Sequence, residues 1–137
     1  MDVYLKLLEE LAEFPALIKD LKTNQTPVNV LGVSDSVRAH LIYCACKKLN
    51  APSLVVAPEE TAARQLYEDL RFFLGDRVYF FPRTDLLFYD VEAKGQDVTR
   101  ERLRVLQALS AGGEACHVVT TAEALTGVTV PKTVYEE

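Results

Sequence analysis

Short apolar runs alternate with longer segments of helical period along most of the chain, and no other feature constrains the fold as strongly. The predicted strands are Val28–Val33, Ser53–Ala57, Val78–Phe81 and Cys116–Thr120, and the predicted helices are Ser36–Leu49, Glu59–Leu74, Asp97–Leu109 and Thr121–Leu125. Strands separated by helices of this length form βαβ units, whose strands pair in parallel. The sequence therefore predicts an α/β fold with three layers, in which a parallel sheet carries helices on both faces.

The second predicted strand shows how deeply the sheet should be buried. Leu54, Val55 and Val56 are apolar without alternation, a pattern typical of strands that helices cover on both faces. We expect all three side chains to lie in the core.

A helical arm is predicted ahead of this lobe. Apolar residues recur at intervals of three and four from Val3 to Leu21, which indicates an amphipathic helical region over about Asp2 to Lys22. Pro15 interrupts it, so we expect two helical pieces or a kink, with Pro15 opening the second piece. The predicted domains are an arm over residues 1–26 and an α/β lobe over residues 27–137.

Composition excludes several classes of function. The 137 residues carry 15 Lys and Arg against 20 Asp and Glu, for a net charge of −5, which opposes duplex DNA binding by phosphate neutralisation. Apolar runs are much shorter than the roughly 20 residues of a membrane span. The N-terminus carries Lys6, Glu9 and Glu10 and so lacks the pattern of a secretory signal. We expect a cytoplasmic protein with no membrane contact.

The cysteines and histidines form no recognisable metal or disulfide motif. Cys44, Cys46 and Cys116 are an odd number without a C-x-x-C pair. His40 with Cys44, and Cys116 with His117, make a zinc site conceivable. Burial as small apolar side chains explains free cysteines better, so no metal is expected.

The turn from Gly32 to Ala39 lies where a phosphate loop would lie, between a predicted strand and a helix. Against G-x-x-x-x-G-K-[ST], Gly32 matches the first glycine, while Val37, Arg38 and Ala39 replace the second glycine, the lysine and the magnesium-binding hydroxyl. A β-branched side chain hinders close backbone approach to phosphate, and alanine cannot hold magnesium. The turn predicts no bound nucleotide and no cofactor.

The polar residues of this turn have a structural interpretation. Ser34, Asp35 and Ser36 precede or open the helix, and Asp35 or Ser34 should cap it by accepting hydrogen bonds from its first amides. A carboxylate at that place takes the position of a phosphate.

Seven segments follow one another in a characteristic order: Val30–Ser34, Leu54–Pro58, Gln65–Leu74, Val78–Pro82, Asp85–Asp90, Arg100–Leu106 and Val118–Leu125. This ordered set resembles the UvrB-like family, which comprises the excision-repair protein UvrB and the UvrB-like N-terminal module of bacterial transcription-repair coupling factors. The resemblance covers nearly the whole chain after the arm and implies a degenerate P-loop NTPase or RecA-like fold.

Within that family, the resemblance favours the coupling factor. UvrB carries a working phosphate loop and a long hairpin that clamps DNA, whereas here Tyr89 is followed within a few residues by the helix predicted near Asp97. The resemblance implies a non-catalytic lobe in a protein that uses a separate ATP-dependent motor to displace stalled RNA polymerase from DNA. It also implies UvrA recruitment through the following domain and contacts with adjacent domains. The alternatives are half of an active UvrB-type ATPase, completed by other segments, and a UvrB fragment that binds DNA.

An apolar segment and a group of arginines stand out in the second half of the sequence. Leu86, Leu87, Phe88 and Tyr89 are apolar in an irregular segment and form a possible interface. Arg100, Arg102 and Arg104 lie among acidic residues and are interpreted as a solvated helix face. Neither feature supplies a catalytic residue, and no enzymatic activity is expected of this chain.

Overall fold

The computed structural model describes residues 3–84, 92–111, 115–129 and 131, of which 92–96 by backbone alone. The helices are α1 (Val3–Glu9), α2 (Glu13–Lys22), α3 (Asp35–Leu49), α4 (Glu60–Leu74), α5 (Glu92–Ser110) and α6 (Ala122–Thr126), and the strands are β1 (Ser53–Ala57), β2 (Val78–Phe81) and β3 (His117–Thr121). They belong to two compact units, Met1–Ala51 and Pro52–Glu137. The predicted boundary between residues 26 and 27 stays a prediction.

The first unit is helical, and α1 and α2 both pack against α3. The expected break in the N-terminal helix is confirmed, since α1 ends at Glu9 and α2 begins at Glu13. Pro15 lies in the first turn of α2, where a missing N–H leaves no helical hydrogen bond unmade. Phe14 and Ile18 are buried in this unit.

The strand predicted at Val28–Val33 is wrong, because these residues form no regular secondary structure. Gly32 has a φ of 77°, which interrupts extended backbone, and Leu31 is exposed. An apolar run becomes a strand only when a neighbouring strand pairs with its backbone, and β1, β2 and β3 are the strands that pair in the described part of the chain.

The second unit contains a parallel sheet of three strands in the order β1-β3-β2. Val119 at the centre of β3 is in register with Val55 on one side and Phe80 on the other. The predicted bounds of β1 and β2 are confirmed, and β3 begins and ends one residue later than predicted. The expected α/β class is therefore confirmed for this unit.

The helices α4 and α5 lie on opposite faces of the sheet. Phe80 contacts the Tyr67 ring and the Arg64 guanidinium of α4. Its neighbour Phe81 packs with Val105 of α5. Successive side chains of a strand point to opposite faces, so these contacts place one helix on each face.

The expected burial of β1 on both faces is wrong, since Leu54 and Val56 are exposed. β1 is an edge strand, and α5 packs against β2, at the other edge. Leu54 is in register with Val118 and Tyr79, on the face that carries α5. The apolar run of β1 therefore reflects strand propensity as much as burial.

No helix in the described part of the chain combines the length and the apolar character needed to cross a bilayer.

Candidate functional site

The residue before α3 has the backbone conformation of an N-cap, but its side chain makes no capping hydrogen bond. Ser34 occupies the cap position with φ −72° and ψ 158°, but its side chain accepts no bond from the helix amides. Its hydroxyl lies 3.1 Å from the hydroxyl of Ser36. The carbonyl of Ser34 accepts from the amides of Val37 and Arg38 at 3.1 Å, which is the ordinary start of a helix.

The predicted cap by Asp35 is wrong. Asp35 is the first residue of α3, and its carboxylate pairs with the Arg38 guanidinium at 2.7 Å. One turn separates the two residues, so the ion pair is a surface pair along the helix. The cation that stands at the lysine position of a phosphate loop is thus bound to a carboxylate of the same turn.

The remaining positions of this turn offer little to a nucleotide. Ala39 is buried, and Val37 is half exposed. Gly32 has open space around it, so its role is to adopt the positive φ, which side chains other than glycine rarely tolerate. The turn brings together the residues of the predicted degenerate loop, which are Gly32, Ser34, Asp35, Ser36, Val37, Arg38 and Ala39. That they bind no nucleotide stays a prediction.

An open groove of about 560 Å³ lies beside this turn, within the first unit. Its lining is mostly apolar and includes Phe14, Val30 and Val37. The charged residues among those that line it are Glu13 and Asp20, both acidic. A phosphate group would therefore meet negative charge there, which is unfavourable.

The histidines and cysteines are engaged within the protein. His40 Nε2 lies 2.7 Å from the carbonyl oxygen of Tyr4, and Cys44 Sγ lies 3.7 Å from the same oxygen. The three cysteines form no disulfide, and Cys44 and Cys46 are buried. Across the described residues, no cluster of three or more His, Cys, Asp or Glu side chains could hold a metal ion.

A side-chain hydrogen bond of His117 links the first residue of β3 to the first residue of β1. It is buried at the start of β3, and its Nδ1 lies 2.9 Å from the hydroxyl of Ser53, at the start of β1. Burial lowers the pKa of His117 below 6.5, and the charge of Arg77 lowers it further. The native protein therefore favours the neutral imidazole.

We expect the free energy of unfolding to fall as the pH drops below about 6.5. The unfolded chain then binds a proton at His117 that the folded chain resists, so stability is complete above the unfolded pKa and is lost below it. Urea unfolding of the wild type and of His117→Gln between pH 7.5 and 5 measures this. A pH dependence that is identical in the two proteins would contradict the assignment.

The expected exposure of Arg102 is also wrong. The residue was expected on a solvated face, but its side chain is buried at the carboxyl ends of β2 and β3. The signal that could have found it is helical spacing, because Val105 lies three residues further on α5 and is also buried. Nearby, Arg83 pairs with Glu123 at 2.7 Å.

The possible interface at Leu86, Leu87, Phe88 and Tyr89 lies outside the described residues. It stays a prediction.

Comparison with known proteins supplies the family context of these features. The chain is 38% identical to the UvrABC system protein B of Psychromonas ingrahamii over 66 residues, which is 47% of the chain. It is 31% identical to the transcription-repair-coupling factor of Myxococcus xanthus in an alignment of 119 positions that covers 82% of the chain. The expected resemblance to the UvrB-like family is confirmed. A UvrABC system protein B of Metamycoplasma arthritidis is 27% identical in an alignment of 131 positions that covers 85% of the chain.

The chain spans about a tenth of the length of the first two relatives and a fifth of the third. No protein-family model matches it. No solved structure matches it either.

Proposed function

We propose that this chain is a non-catalytic scaffold lobe of the UvrB-like module of a transcription-repair coupling factor, with a degenerate P-loop NTPase or RecA-like fold. Its similarity to UvrB and to a coupling factor supports a role in nucleotide excision repair. Its α/β unit with a parallel sheet is compatible with that fold. In the complete protein a separate ATP-dependent motor acts on DNA and on stalled RNA polymerase.

The observation that carries the non-catalytic assignment is the charge distribution around the turn before α3. Arg38 is paired with Asp35, and the charged residues that line the adjacent groove are acidic. A phosphate loop needs the opposite arrangement, with free amides and an unpaired cation directed at the ligand. The substitution by Ala39 removes the hydroxyl that would bind magnesium.

Isothermal titration calorimetry with Mg-ATP tests this assignment. We expect no saturable heat of binding at nucleotide concentrations up to the millimolar range. Asp35→Ala releases Arg38 from its ion pair and serves as the matched variant; it should also show no binding, because Val37 and Ala39 remain. Micromolar binding by the wild type that Arg38→Ala abolishes would contradict the proposal.

The second candidate is the nucleotide-binding half of an active UvrB-type ATPase. The 38% identity to a UvrB over 66 residues favours it. The same titration separates the two candidates, since an ATPase half binds nucleotide at its own loop.

The path between β2 and α5 gives further support to the coupling-factor assignment. β2 ends at Phe81 and α5 begins at Glu92, so residues 82–91 join them. A segment of this length leaves little room for a long DNA-clamping hairpin. Together with the net charge of −5, it argues against duplex DNA as the ligand of this chain.

We propose that UvrA is recruited chiefly through the domain that follows this lobe in the complete protein. Residues 1–137 alone should therefore capture UvrA weakly or not at all in a pull-down, whereas a longer form with that domain should capture it strongly. Interface energy concentrates in a few anchor residues, so loss of the surface that holds them removes most of the affinity. Equal capture by both forms would place the anchor within this chain.

A further inference from the structure

The guanidinium of Arg102 is held at the carboxyl edge of the sheet. Its Nη1 donates to the carbonyl of Pro82 at 2.7 Å, directly after β2, and lies 3.3 Å from the carbonyl of Ala124, in the helix that follows β3. The guanidinium carbon lies 4.0 Å from the centre of the Phe81 ring. These contacts fix the position and plane of the group.

The charge of Arg102 is not balanced by this arrangement. The residue is 6% exposed, and its Nη2 is buried without a hydrogen-bond partner in the described part of the chain. No carboxylate of the described residues forms an ion pair with it, in contrast to Arg83, which pairs with Glu123 at 2.7 Å. Burial lowers the pKa of Arg102. A buried cation is costly unless an anion and full hydrogen bonding compensate it.

We propose that Nη2 of Arg102 binds an oxyanion of the size of phosphate or a carboxylate group. Ligands of parallel α/β sheets bind outside the carboxyl ends of the strands, which is where Pro82 and Ala124 hold this guanidinium. Nη2 carries two N–H groups, and each can donate a charge-assisted hydrogen bond to an oxygen of either anion. This site is separate from the turn before α3, so the inference does not depend on the proposed function.

Gly127 lies beside the unpaired nitrogen. A Cβ added to Gly127 would stand 3.6 Å from Nη2 of Arg102 and 3.5 Å from the carbonyl oxygen of Ala124. Gly127 therefore lies within van der Waals range of Nη2 and presents no side chain to it. The backbone of Gly127, with φ −70° and ψ 148°, suits any residue, so a larger side chain there would press against Nη2 without backbone strain.

Thermal unfolding of the full chain in inorganic phosphate, at constant ionic strength, tests the site. The melting temperature should rise with saturation, by roughly 4 °C when phosphate exceeds its dissociation constant tenfold. Arg102→Gln and Gly127→Val should lose this rise, the first by removing the cation and the second by covering Nη2 with a side chain. Arg83→Gln removes a neighbouring arginine and should keep it. Non-specific salt stabilisation would appear equally in all four proteins.

A parallel titration with acetate distinguishes the two anions. A saturable rise that needs Arg102, in phosphate alone or in both, supports the oxyanion site and assigns its class. The same rise in all variants, or none in the wild type, overturns the proposal. If Arg102→Gln does not fold, the comparison of Gly127→Val with the wild type decides the outcome.

Discussion

Val119→Asp should unfold most of the protein. Val119 is fully buried at the centre of β3, between Val55 and Phe80 in register. An unpaired carboxylate there costs about 4 kcal/mol or more, which is comparable to the whole stability of many domains, about 5–15 kcal/mol. Circular dichroism during thermal unfolding should show a lost or strongly lowered transition.

The matched control is Val128→Asp, which makes the same chemical change on the surface. Val128 is 93% exposed, so its carboxylate stays in water and should change stability by less than about 0.5 kcal/mol. Equal melting temperatures for the two variants would show that β3 does not form the centre of the sheet.

Leu70→Ala should cost about 2–5 kcal/mol, the usual range for a leucine removed from a closed core. Leu70 is fully buried on α4, the helix that packs against all three strands. The loss combines the transfer energy of the removed methyl groups with the cavity that they leave. Urea unfolding with an unchanged slope would measure it as a lower midpoint.

Phe72→Ala is the control on the same helix. Phe72 is 74% exposed, although its ring contacts Phe73 at 5.2 Å between centroids. Its removal should cost less than about 1 kcal/mol. A cost equal to that of Leu70→Ala would place Phe72 against the core and contradict the orientation of α4.

Local sequence pattern predicted the elements whose apolar residues recur with the period of a strand or of a helix. The apolar run of β2 and the helical spacing of α4 gave bounds within one residue of those observed. Val28–Val33 is also rich in apolar residues, but strand formation depends on a pairing partner that no local pattern specifies. The exposure of Leu54 has a similar cause, because it depends on the position of β1 at the edge of the sheet.

The candidate site was predictable in its residue types but less so in its contacts. The replacements at Val37 and Ala39 follow directly from the printed sequence. Whether Ser34 or Asp35 occupies the N-cap position depends on a shift of one residue in the start of α3, which the sequence does not specify. Arg102 was expected in solvent because it is charged, although its helical spacing from Val105 places it on the buried face of α5. A buried arginine needs the carbonyls of Pro82 and Ala124, which are distant in sequence.

The order β1-β3-β2 has a consequence for synthesis on the ribosome. Both outer strands pair only with β3 in the described sheet, and β3 is the last of the three to be made. Until residues 117–121 emerge, β1 and β2 have no partner in this sheet, so a nascent chain exposes two strand edges at once. Translational arrest before His117 should therefore yield a product that aggregates or is degraded, and folding of this unit should begin only after Thr121 has left the exit tunnel.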